Sequence, residues 1–263
     1  VKSSSGWDER LLSRVEDAGL NASAPRQQRW LDGWIVRTCP GKAKRARCIN
    51  AVAPGRLPLD EKLGLCAPVY AEAGLPLLVR ITPFSQPATL DTDLAARGFG
   101  VLDDTRVMVS APLEAAVSTG RPLPPGVQMV RLDGRAFAEC VGDLRGSPPA
   151  QRQAHGERLE QSPVPYRGYV LRRDDDGVVL ACGQIAVEGR IVGVYDVFTR
   201  EGARGQGLAR ALCERMLFEQ ASAGAEVAYL QVEADNMAAR RIYLRLGFRD
   251  AYAYHYRVAP GAV

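Results

Sequence analysis

The chain has 263 residues, 46% of them hydrophobic and 24% charged, with a formal net charge of +4. That is enough apolar material for two ordinary globular domains, and too small a charge excess to call for a polyanionic partner such as nucleic acid. No signal-peptide pattern and no apolar run of about eighteen residues occurs, so a membrane span is not expected and a soluble cytoplasmic protein is.

In chain order, Trp30–Arg37 and Cys48–Val52 read as strands, being short and rich in β-branched and aromatic residues. They either line an acceptor cleft or fill a core. Lys42, Lys44, Arg45 and Arg47 form a basic run between them, to be read as a contact for phosphate groups or nucleic acid or, as is usual for a charged hairpin tip, as a solvated one. Asp60–Ala73 reads as a helix stopped by Gly74. Ala111–Val127, with Pro122, Pro124 and Pro125, reads as a linker dividing the chain into domains 1–115 and 124–263.

Beyond the linker, Val127–Leu132 reads as a strand, and Arg135–Arg145 and Gln151–Gln161 as helices. Tyr169–Arg173 and Val178–Val187 read as strands around the turn Asp174-Asp175-Asp176-Gly177. Ile191–Thr199 is a Gly-bounded strand, Leu208–Ala223 a helix ended by Gly224, and Val227–Val232 a buried strand. A helix from Asn236 to Leu246 stops at Gly247, and Phe248–Val258 closes the chain with alternating tyrosines. The six cysteines have neither Cys-x-x-Cys spacing nor a histidine cluster beside them, and His155 and His255 are the two histidines, so no metal site is expected.

Two stretches carry chemistry. The first is the turn Arg204-Gly205-Gln206-Gly207-Leu208-Ala209, where a strand feeds a helix. The opening amides of a helix lack partners within it, and the dipole adds positive partial charge, so an anion is accommodated there. Gly205 and Gly207 let a ligand approach the main chain with no Cβ in the way, and Arg204 adds a fixed positive charge. The second stretch is Asn236-x-x-Ala239-x-x-x-Tyr243-x-x-x-Gly247-Phe248. Asn236 is a favoured N-cap, and Tyr243 lies on an apolar helix face where core aromatics are common.

Together the two stretches resemble the signature of the GNAT superfamily of N-acetyltransferases, whose turn reads Arg/Gln-x-x-Gly-x-Gly/Ala. The resemblance extends to the order of elements from residue 127 onward, half of the chain. It implies an α/β (α+β) fold with a mixed, mostly antiparallel twisted sheet flanked by helices. It also implies acetyl-CoA as co-substrate, without a metal. By the same resemblance Val197, Phe198 and Thr199 meet the pantetheine arm, and Arg204, Gly205, Gln206, Gly207, Leu208 and Ala209 hold the pyrophosphate. Asn236 contacts the cofactor, and Tyr243 touches it as the general acid. The acetyl group moves by direct attack to a primary amine on a small molecule or peptide, with no nucleic-acid or membrane partner, in a monomer or homodimer.

Such a reaction needs a base, because an amine acceptor is an ammonium with a pKa near ~10.4 in water, while the departing thiol is near ~8.5. Asp196 and Glu233, on the strands before the turn and before Asn236, are the candidates, acting directly or through water. Each is also readable as a solvated or capping carboxylate. An offset of 149 residues places Leu90, Leu94, Gly98 and Phe99 on Ala239, Tyr243, Gly247 and Phe248. The first half therefore reads as a degenerate copy of the same fold. Its turn, Pro54-Gly55-Arg56-Leu57-Pro58-Leu59, has lost the motif and amide donors, and Leu94 replaces the tyrosine, so domain 1–115 is expected to have no cofactor site and domain 124–263 to be catalytic.

Two other readings stand beside an active N-acetyltransferase: a non-catalytic acyl-CoA sensor or interaction protein on the same scaffold, and a tandem aminoacyl transferase, for which the intact glycine turn is superfluous. Tandem enzymes acetylating a thiol-sugar amine resemble this layout, as do antibiotic-modifying and protein N-terminal acetyltransferases.

Overall fold

The computed structural model describes residues 6–39, 41, 43–113 and 122–261. Lys42 and part of the expected linker, residues 114–121, lie outside the described residues. In chain order the elements are α1 (Glu9–Ala22), β1 (Gln28–Leu31), β2 (Trp34–Arg37), β3 (Ile49–Ala51), α2 (Leu59–Glu72), β4 (Leu78–Ile81), α3 (Leu90–Ala95) and β5 (Gly100–Ser110). There follow β6 (Val127–Leu132), α4 (Gly134–Leu144), α5 (Pro149–Glu160), β7 (Tyr166–Arg173), β8 (Val179–Glu188), β9 (Ile191–Thr199), α6 (Leu208–Ser222), β10 (Val227–Glu233), α7 (Met237–Arg245) and β11 (Arg249–Val258). The sequence reading has no counterpart for α1, β4 or β5.

Two compact units emerge: a larger one of Val1–Ala22 with Val107–Ala251, and a smaller one of Ser23–Arg106 with Tyr252–Val263. This differs from the consecutive division 1–115 and 124–263. The first helix groups with the later half, and most of the last strand groups with the earlier half.

In the larger unit β6, β7, β8 and β9 are antiparallel neighbours. β10 lies parallel to β9 because α6 carries the chain back along the sheet between them. Side-chain alternation along the strands separates two cores. Ala181 and Ile185 of β8 join Leu212, Met216 and Leu217 of α6 and Tyr243, Leu246 and Phe248 in one. Cys182 joins Phe137 and Val141 of α4 and Leu159 of α5 in the other. Helices thus flank a mixed, mostly antiparallel sheet.

The smaller unit repeats the plan. β1, β2 and β3 are antiparallel, β4 is parallel to β3, and β11 is antiparallel to β4. The correspondence reaches individual hydrogen bonds. Phe99 N donates to Leu94 O and Gly98 N to Ala95 O, just as Phe248 N donates to Tyr243 O and Gly247 N to Leu244 O. Leu75 N donates to Tyr70 O and Gly74 N to Ala71 O, as Ala225 N does to Gln220 O and Gly224 N to Ala221 O. Gly74, Gly98, Gly224 and Gly247 all have φ between +62° and +94°, the left-handed stop that lets the carbonyls of a last helical turn be capped. Trp34 is buried in this unit's core, whereas Trp30 is 68% exposed on β1. Of the basic run, Lys44 pairs with Asp103 at 2.8 Å and Arg45 donates to Tyr254 Oη at 3.1 Å. These two residues are tied into the fold rather than left at a solvated tip.

Candidate active site

The turn that precedes α6 leaves its glycines and helix-start amides uncovered. Gly205 and Gly207 have φ of 78° and 74°, and a Cβ at either would meet nothing within 4 Å, so both face open space. The helix starts at Gly207 with no side-chain cap. Arg204 N donates to Glu201 O and Ala211 N to Gly207 O, and among the described residues the amides between them, from 205 to 210, have no protein acceptor. Six adjacent donors, the positive end of a fifteen-residue helix and the exposed Arg204 lie together along this turn. Leu208 is buried and holds the helix start against the core, while Gln206 is exposed and Ala209 half-buried.

Beside the turn the sheet forks. The β9–β10 ladder ends at the pair Val194↔Leu230, yet β9 continues to Thr199 and β10 to Glu233. On its other edge β9 stays paired with β8 through Cys182↔Phe198 and Ala181↔Thr199, after a register shift between Cys182 and Gln184. The extra residue of that bulge falls around Asp196, whose φ of 49° is unusual outside glycine. Among the described residues Val197, Phe198 and Thr199 therefore keep one backbone edge without a strand partner, and an open edge of this kind is where extended ligands add to sheets in general. The rings and guanidinium groups gather here as well: Arg145 and Arg204 lie 5.5 Å and 5.8 Å from the Phe198 ring centre.

Asn236 caps α7, its Oδ1 accepting from Ala239 N at 3.1 Å. Tyr243 is 8% exposed and packs edge-on against Phe248 at 6.0 Å. Burial raises its phenol pKa, with the neighbouring Cys213 adding to the effect, so the side chain stays protonated and able to donate. Its hydroxyl has no partner among the described residues and is not among the sealed, unpaired polar atoms. Arg210 and Arg240, two arginines near the turn and α7, are engaged with Glu214 and Asp250, at 2.9 Å and 2.8 Å.

The two carboxylates proposed from sequence differ sharply. Glu233 is exposed at the end of β10. Asp196 is enclosed: Arg145 Nη1 reaches Oδ1 at 2.8 Å, Gln184 Nε2 donates to Oδ2 at 2.6 Å, and His155 Nε2 lies 3.5 Å from Oδ2. Burial pushes the Asp196 pKa up, but Arg145 and His155 outweigh it and bring the carboxyl down to about 2. It is a fixed anion and a weak base. Sequence reasoning passed over His155, Arg145 and Gln184, which come from α5, the end of α4 and β8; the sole hint was that histidine is so rare in the chain.

The corresponding turn of the smaller unit is filled by the protein itself. Asp32 accepts from the amides of Arg56 at 2.8 Å and Leu57 at 2.9 Å, and pairs with the buried Lys62 at 3.2 Å. A Cβ on Gly55 would strike Asp32 and Lys62. These hydrogen bonds hold the Asp32 pKa below the ordinary carboxylate value. Its contribution is therefore complete above the unfolded pKa near ~3.9 and is lost as pH falls through the lower folded value. Asp32→Asn is expected to lower the melting temperature at pH 7, with the gap to wild type closing below about pH 4. Equal melting temperatures at pH 7 would remove the carboxylate from this account of the turn.

A family model described as "Acetyltransferase (GNAT) family" matches residues 137–248, which include the turn, the fork, Asn236 and Tyr243. Residues 137–248 are a GNAT acetyltransferase domain. Among relatives, the chain is 26% identical over 255 residues to the uncharacterized N-acetyltransferase YobR of Bacillus subtilis, spanning 95% of this chain and 98% of YobR. It is 29% identical over 172 residues to the mycothiol acetyltransferase of Clavibacter michiganensis, spanning 60% of this chain and about half, 54%, of that relative. Solved structures share the fold. A GCN5-related N-acetyltransferase from Kribbella flavida superposes with a TM-score of 0.67 at 19% identity, covering 95% of each chain. A tandem GNAT protein from the clavulanic acid biosynthesis pathway superposes at 0.62 and 15% identity, covering 81% of this chain and 74% of that one. This domain, residues 137–248, is an acyltransferase domain of the GNAT family, a family that uses acetyl-CoA.

Among the described residues no helix is long and apolar enough to cross a membrane. No group of three or more metal-ligating side chains gathers among them either.

Proposed function

We propose that the protein is an N-acetyltransferase that moves an acetyl group from acetyl-CoA to a primary amine of a small molecule or peptide by direct attack, with Tyr243 as general acid. The observation that carries this reading is the run of six unengaged amides from 205 to 210, beside a β9 edge that the sheet leaves open. Amides 205–210 with Arg204 hold the pyrophosphate, and Val197, Phe198 and Thr199 align the pantetheine arm along β9. Acetyl-CoA supplies the acetyl thioester. The Tyr243 hydroxyl, held by the packing of α7, donates its proton to the sulfur as the carbon–sulfur bond breaks, and Asn236 keeps the start of α7 in place.

One acetyl-CoA binds per chain on this reading, because Asp32 fills the matching turn of the smaller unit. Titration calorimetry should return a single site, and two equivalent sites would contradict it. A turnover screen of amines tests the chemistry. The amine acceptor of the mycothiol acetyltransferases belongs in it because the one from Clavibacter michiganensis matches 60% of this chain. Binding of acetyl-CoA with no turnover on any amine would turn the reading to a non-catalytic acyl-CoA sensor.

A further inference from the structure

We propose that His155 is the base that takes the proton from the acceptor ammonium, and that Asp196 is its positioning residue rather than the base. This inference rests on the acetyl-transfer reading above.

Several observations converge on it. His155 comes from α5, and its ring packs edge-on against Phe137 at 6.5 Å, which limits how it can turn. Its Nε2 is sealed from solvent without a well-aligned hydrogen bond, and the polar atom beside it is Asp196 Oδ2 at 3.5 Å. A carboxylate beside a ring nitrogen favours the proton on that nitrogen. The Nε2–H tautomer leaves the lone pair on Nδ1. That nitrogen has no partner among the described residues and is not among the sealed atoms, while the side chain is 20% exposed. The arrangement is a carboxylate that orients an imidazole whose free nitrogen faces outward, the logic by which a base is oriented by a third group.

The alternatives at the fork fit the task less well. Asp196 is bound by Arg145 and by the buried Gln184, so accepting a proton would forfeit a charge-assisted hydrogen bond. Gln184 holds Asp196 from β8, and the bulge of β9 turns Asp196 toward the helices that carry Arg145 and His155. The charged groups facing His155 are Asp196 from β9, Arg158 from its own helix and Arg145 at the end of α4. Burial lowers the His155 pKa and Asp196 partly restores it, with the two arginines lowering it further. The ring is therefore neutral at pH 7, with a lone pair available.

The step balances without a further reactant. The ammonium proton passes to His155 Nδ1, the freed nitrogen lone pair forms the carbon–nitrogen bond, the carbon–sulfur bond breaks, the sulfur takes the proton of Tyr243, and the acylated nitrogen releases its second proton to solvent to leave the neutral amide. His155 returns its proton to solvent, and Tyr243 regains one from it.

The test compares wild type with His155→Gln and Asp196→Asn, measuring acetyl-CoA affinity by calorimetry and kcat/KM against pH with an amine that the wild type acetylates. In the wild type, kcat/KM should fall on the acid side with a group titrating below ~6.5. His155→Gln should bind acetyl-CoA normally, lose about 10²-fold or more in kcat, lose that acid limb, and regain activity with added imidazole. Asp196→Asn should move the limb to lower pH, because the carboxylate no longer supports the imidazolium. Imidazole ¹⁵N shifts of the wild type should report His155 protonated on Nε2 and bare on Nδ1 at neutral pH, a readout that does not depend on the variants folding. Wild-type kcat with an unchanged acid limb in His155→Gln overturns the proposal while leaving acetyl transfer intact, as does the opposite tautomer. A wild type that acetylates no amine overturns the functional reading itself, and this proposal with it.

Discussion

Gly207→Glu is expected to abolish acetyl-CoA binding, weakening it by more than about 100-fold, equivalent to ~2.7 kcal/mol. Two effects add. Gly207 has φ of 74°, a conformation that costs an L-residue roughly 1–2 kcal/mol. The glutamate side chain then projects into the space left open before the amides of α6, bringing a negative charge to where the diphosphate belongs. Gly207→Ala separates the two, since its methyl group meets nothing within 4 Å and carries no charge. It should lose at most about 10-fold. Calorimetry reads both variants, with the melting temperature as the control for folding. Unchanged affinity in Gly207→Glu would mean that the cofactor lies elsewhere.

Tyr243→Phe should lower kcat by roughly 10²-fold, the low end of acid–base contributions, with acetyl-CoA affinity nearly intact. Phenylalanine keeps the ring, its place in the core and its edge-on contact with Phe248. What disappears is the proton offered to the sulfur. A modest effect is expected on physical grounds. Burial raises the phenol pKa above its ordinary value, whereas a thiol such as coenzyme A is near ~8.5, so complete transfer from phenol to thiolate runs uphill. The hydroxyl assists as negative charge builds on the breaking bond. The loss should therefore shrink with a thioester of a more acidic thiol, whose sulfur needs less help. A variant that turns over at the wild-type rate when chemistry limits the reaction would make Tyr243 a packing residue.

The two largest predictions rest on residues that were legible in the sequence, and the reason is locality. The glycine turn, the Asn236 cap and the Gly247 stop are each specified by residues within a few positions of one another, and the hydrogen bonds observed there are short-range in the chain. The same locality made the internal repeat readable: the offset that aligns Leu94 with Tyr243 also aligns the bonds that end both helices. The basic run illustrates the limit. Its charge suggested a phosphate contact or a solvated tip, but Asp103 and Tyr254, far away in the chain, engage Lys44 and Arg45.

The sequence by itself determined the GNAT domain, the order of strands and helices across residues 127–258, and the glycine turn with its unpaired helix-start amides, because glycine conformation and unpaired helix-start amides are local properties. Only the tertiary structure decided three other things. It put α1 with the later half and most of β11 with the earlier one. It filled the degenerate turn with Asp32, a residue from the β1–β2 hairpin. It also closed Arg145, Gln184 and His155 around Asp196, turning a candidate base into a fixed anion. The common reason is that a carboxylate's proton affinity depends on the charges and donors folded against it, and those come from elements far apart in the chain.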